Sequence, residues 1–159
     1  MQGRLVDNAK IIYVSAPADY NASAATSEFI CMKNYQRVCF IIQTGAWAGG
    51  TAAVTLSQAT SDGGTTASLG FSYMWTNDGA TTTDTLTKTA VTSNTFNLDT
   101  ASSLYVIEVT SDMLDVDNGY DWVLLEIDAA SGDNTDLYSV VAIAYEGRHS
   151  ASGLKSAIA

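Results

Sequence analysis

Side chains able to do chemistry are few in this chain, and their spacing does not assemble them. The chain holds one histidine, His149, and two cysteines, Cys31 and Cys39, against 17 aspartates and glutamates. The carboxylates of Asp115, Asp117 and Asp121, with Glu126 further on, alternate as they would in a calcium loop. Such a loop needs glycine at its sixth position, where Tyr120 stands, and residues 122–127 read as a buried strand. A solvated turn entering that strand is the better account. A Ser-His-Asp set would rest on His149, which lies on a weakly apolar tail. Zinc needs more ligands than Cys31, Cys39 and His149 supply, and nothing selects a glycosidase-like carboxylate pair. Residues 45–50 lack the Lys-Ser/Thr ending and following helix of a phosphate-binding loop. The expectation is a chain with no catalytic residue, no metal and no cofactor.

Three tryptophans remain. Trp75 and Trp122 sit in strand-like runs and read as core. Trp47, flanked by Ala and Gly in the 45–50 turn, is expected to be exposed. It is either a platform for a sugar ring or, the preferred reading, an anchor at a subunit contact.

The elements that must carry these residues are strands. Residues 104–109, 120–128 and 137–145 are alternating apolar runs joined by acidic turns, with no Lys or Arg between Lys88 and Arg148. Residues 51–60 and 69–75 alternate around the Asp62-Gly63-Gly64 turn and read as a hairpin. Residues 28–33 and 38–44 read as two strands around Asn34–Gln36, which would face Cys31 toward Cys39; free thiols are the preferred reading for a cytosolic product. Residues 4–14 form a first strand or arm with Ile11 and Tyr13 on one side. Weaker strands near 85–91 and 95–98 carry Lys88, a sign of a sheet edge. Nine or ten strands at this spacing predict an all-β, antiparallel β-sandwich of jelly-roll-like form.

The 159 residues suit one domain, taken as 1–146, with 147–159 as an extended C-terminal arm. Charged residues are only 15% of the chain, yet the net charge is −10. That balance excludes nucleic acid and anionic membranes as partners. No apolar stretch has the length of a signal peptide or a membrane span, so synthesis in a cytoplasm is expected.

Leu154 and Ile158 are the only sizeable apolar groups of the tail, too few to hold it, since each ordered residue costs about 1–2 kcal/mol. A neighbouring subunit is therefore expected to order it. Deleting 147–159 should weaken attachment yet leave the sandwich folded.

Three stretches carry a resemblance: Met32-Lys33-Asn34-Tyr35 running into residues 40–45; residues 104–109 continuing through 112–123; and the closing strand 140–148. Together they span most of the chain from 32 to 148, and they resemble small structural proteins of tailed bacteriophages, of the head-decoration or auxiliary-capsid (cement) kind. The resemblance implies a β-sandwich that assembles on or into a virion, with the major capsid protein and further copies of itself, as a trimer or other small homo-oligomer, for partners. Residues after Arg148 depart from that pattern. The family has no functional residue to carry over.

The candidate interface residues come from the chain itself: Arg4, Lys10, Trp47, Arg148, His149, Leu154, Lys155 and Ile158. Basic ends reaching acidic neighbours is the expectation. The expected site of action is the outer surface of a phage head. A tail, neck or baseplate component and a glycan-binding sandwich remain open as alternatives.

Overall fold

The computed structural model describes residues 4–19, 24–26, 28–79, 82–129, 136–148 and 154–158. Two six-stranded antiparallel sheets face each other. The first, sheet A, has the order β1 (Ala9–Asp19), β12 (Asp136–Gly147), β4 (Tyr35–Trp47), β10 (Leu104–Thr110), β7 (Tyr73–Asn77), β8 (Thr87–Ala90). Sheet B runs β2 (Ala25–Thr26), β11 (Trp122–Ile127), β5 (Ala52–Ala59), β6 (Thr66–Ser68), with β3 (Ile30–Cys31) also on β11 and β9 (Thr95–Leu98) also on β5. The orders β1-β12-β4-β10 and β2-β11-β5-β6 are those of two interlocked Greek keys. The fold is a jelly roll, extended at one edge of sheet A by β7 and β8. Among the described residues the strands number twelve against the nine or ten expected; two short pieces, β2 and β3, share one sheet position beside β11.

Alternation builds the core. Ile12, Ala142, Phe40 and Ile107 form an inward row across sheet A, and Val123, Leu125, Val54 and Leu56 face them from sheet B, all buried. Each large apolar side chain so buried contributes about 1.5–3 kcal/mol.

Several local expectations are corrected. Residues 5–8 form one helical turn, α1 (Leu5–Asn8), not strand. The strand that follows runs on to Asp19 through Pro17, which an edge strand tolerates at its register shifts. Ile11 and Tyr13 do share a side, but it is the outer one, at 55% and 66% exposed, while Ile12 points inward. The 28–44 region is no hairpin: β3 lies in sheet B and β4 in sheet A, so Cys31 and Cys39 belong to different sheets and both thiols are free. Nor is 69–75 one strand. The hairpin partner of β5 is β6, and the chain then crosses between sheets, burying Leu69 and Phe71, before β7 joins β10. Lys88 does mark an edge, since β8 closes sheet A.

The tail is also corrected. Residues 154–158 lie on the body of the domain itself: the Cys31 amide donates to the Ala157 carbonyl (2.7 Å) and the Tyr35 hydroxyl to the Lys155 carbonyl. Ala157 is buried and Leu154 packs against the core. Two backbone anchors supply what two apolar side chains could not. Tyr35→Phe, which removes one anchor, is expected to cost about 1 kcal/mol and to speed protease cleavage within the tail. An unchanged digestion rate would show that the hydroxyl does not hold it.

Candidate assembly surfaces

The two sheets differ on their outward faces. Outward positions of sheet B are mixed: Glu126, Thr55 and Thr95 align in one row, Leu124 and Ser57, both buried, with Ser68 in another, and Trp122 with Ala59 and Thr66 in a third. The outward side of sheet A carries instead an unbroken cross-strand row: Tyr13, Val141, Ile41, Val106, Trp75 and Lys88, one residue from each of its six strands. A second row adds Ile11, Ile143 and Cys39 before reaching Glu108. Tyr13, Ile11 and Val141 are exposed, and Ile41, Ile143, Val106 and Trp75 are half-buried. Antiparallel sheets facing water ordinarily alternate apolar-in and polar-out, and a contiguous apolar patch of this kind marks a contact surface.

Charge on this face is closed. Glu108 accepts hydrogen bonds from Tyr145 (2.5 Å) and Arg37, and Arg37 Nε donates to Glu146 (3.0 Å). Glu146 holds a left-handed φ of 54°, a strained setting for a side chain with a Cβ, and this pairing compensates part of its cost. Lys88 at the far edge lies 3.6 Å over the centre of the Tyr73 ring.

Burial, aided by the Glu108 charge, pushes the Cys39 thiol up to about 11, and burial with the Glu108 bond pushes the Tyr145 phenol up as well. Folding favours the neutral form of both. The Cys39 contribution to stability is therefore complete below pH about 9 and is lost as pH rises through about 11. Melting temperatures should fall over that range, and Cys39→Ala should shrink the fall; a variant curve parallel to the wild type would contradict this.

The ends of the sandwich differ too. Six of the chain's seven Lys and Arg residues, Arg4, Lys10, Lys33, Arg37, Arg148 and Lys155, gather at one end, where β1 and β4 begin and β12 finishes, beside Asp7, Asp112, Asp115, Asp117, Asp121 and Glu146 of that same end. There Lys33 pairs with Asp121 (2.8 Å), Arg148 bonds Ser111 (2.5 Å), and residues 156–158 wall a cavity with residues 10–13. The opposite end presents Asp19, Asp78, Asp99, Asp128 and Asp136 at strand termini. Asp136 is fully buried; it accepts from the Ala48 amide (2.9 Å), and its own amide donates to Asp19 (3.2 Å), fastening β12 to the end of β4.

Of the interface residues expected from sequence, Arg4, Lys10, Arg148, Leu154, Lys155 and Ile158 thus come to one end. Trp47 lies at the other, and His149 falls outside the described residues. The tryptophans exchange roles. Trp47 packs partly on the core and its indole N–H donates to Gly50 (3.2 Å), whereas Trp75 and Trp122 take outward positions. Among the described residues no three His, Cys, Asp or Glu side chains come together as metal ligands; Asp115 is engaged by Asn118 (2.7 Å) and Asp121 by Lys33. The apolar row of sheet A went unrecognised from sequence, although the consecutive apolar residues Phe40-Ile41-Ile42 and Val140-Val141 carried its signal.

No family model and no curated protein matches the chain. Among solved structures it is similar to the SPBc2 prophage-derived protein YomS, at 10% identity and a TM-score of 0.48, over 86% of this chain and 92% of that one. A chain of the Triatoma virus empty capsid is similar at 8% identity and 0.43, over 98% and 99%. Infectious bursal disease virus (Gx strain) follows at 13% and 0.41, over 89% and 34%. At these TM-scores the likenesses carry no argument; the fold class stands on the sheet order.

Proposed function

We propose that the chain is a non-enzymatic structural protein of a virion, a decoration or cement protein seated on the major-capsid lattice at the outer surface of a phage head. The observation that carries this reading is the apolar outward face of sheet A. A sandwich with such an adhesive side is suited to work by being covered. The sequence resemblance to phage decoration proteins supports the same reading. In it, the apolar face joins neighbouring subunits, and Arg4, Lys10 and Lys155 at one end of the sandwich meet carboxylates on the shell beneath. Many modest contacts, repeated over a lattice, stabilise a head without any single tight one.

Immunogold labelling of purified particles, with quantitative mass spectrometry, tests this. Many copies per particle with label on heads is the expected result. Label confined to tails or necks would replace decoration with a tail component, and absence from particles would end the virion reading.

A further inference from the structure

We infer that the apolar outward face of sheet A pairs with a second copy of this chain, about a twofold axis lying in the interface and running along the strands. This rests on the reading above that the face is covered, and it names what covers it.

Charge selects the occupant. The chain carries −10 overall, so two copies repel through most of their surfaces. On this face, among the described residues, Glu108 and Glu146 are matched by Arg37 and Lys88, and Asp19 at the rim leaves three acids against two cations, close to neutral beside the whole chain. It is therefore a broad side by which like-charged copies can approach, and its apolar row supplies the attraction once they do.

The order of residues along that row selects the symmetry. A twofold axis along the strands sets the first strand of one copy over the sixth of the other, the second over the fifth, and the third over the fourth. Tyr13 then meets the partner copy at its Lys88 position, Val141 meets the Trp75 position, and Ile41 meets the Val106 position. A cation falls on an aromatic ring and apolar groups fall on apolar groups. Turning the axis across the strands would instead set each Lys88 against its own equivalent, which repels. Six strands span about 24 Å, a patch of the smaller interface class, so a reversible pair is expected, not a permanent one.

Sedimentation equilibrium of the purified chain tests the inference, together with three variants at exposed positions whose melts should match the wild type. Wild type should show a concentration-dependent monomer–dimer equilibrium. Val141→Glu, which brings a carboxylate against the apolar Trp75 position, should weaken pairing by roughly 30-fold or more. Tyr13→Lys, facing the partner copy's Lys88, should weaken it about 10-fold, while Tyr13→Glu should change it less than about 3-fold. Equal weakening by both Tyr13 variants overturns the proposed axis, and a wild type that stays monomeric or forms trimers overturns the pair.

Particle occupancy of Val141→Glu separates this from the functional reading. A monomeric wild type whose Val141→Glu variant is lost from particles refutes the pair but leaves the adhesive face standing. A dimer that Val141→Glu breaks, with full occupancy retained, upholds the pair and removes the face from attachment.

Discussion

Phe40→Ala is expected to lower the unfolding free energy by about 3–5 kcal/mol, whereas Ile41→Ala, one residue on, should cost about 1 kcal/mol. Phe40 is fully buried on the inward row between Ala142 and Ile107. Its removal leaves a void that a close-packed sandwich cannot refill. Ile41 is part of the outward row, half-buried and outside the core cluster. For a domain of this size the Phe40 loss corresponds to roughly 10 °C in melting temperature. Denaturant titration of both variants reads the contrast directly. Equal costs would mean that β4 does not present Ile41 outward, and the adhesive face would go with it.

Deleting residues 154–159 is expected to cost about 2–4 kcal/mol while leaving the chain folded. The loss has two sources: the packing of Leu154 and buried Ala157, and the acceptors for the Cys31 amide and the Tyr35 hydroxyl. A buried donor stripped of its acceptor costs about 1–3 kcal/mol. Urea titration of the truncated chain gives the value. A midpoint equal to that of the full chain would show that the tail does not belong to the domain. Since the deletion destabilises, truncation alone is a poor test of attachment, and surface variants such as Lys155→Glu are cleaner.

The sandwich was legible in the sequence because 51–60 alternates cleanly and 104–109, 122–127 and 137–145 are strand-length apolar runs joined by acidic turns. Edge placement of β8 was legible through Lys88. Sheet membership was not. Residues 69–75 keep a period of two while the backbone passes from sheet B to sheet A, so Leu69 and Tyr73 look like one strand although only the first is buried. Parity in β1 was equally hidden: Ile11, Ile12 and Tyr13 are all apolar, and only pairing with β12 decides that Ile12 turns inward. The same ambiguity concealed the candidate surface. An apolar residue at an outward position reads in sequence as more core, and registers across six strands were needed to line up Tyr13, Val141, Ile41, Val106 and Trp75. The tail was misjudged because its anchors are backbone carbonyls, which every residue possesses and no composition reveals.

The most direct measurement is a cryo-electron microscopy map of the intact particle at side-chain resolution. The outward face of sheet A, from Tyr13 to Trp75, should lie under protein density while the Glu126–Thr55 face of sheet B meets solvent. Density that leaves the Val141 and Ile41 side chains open to water would contradict the assignment of this chain as an adhesive element of the virion.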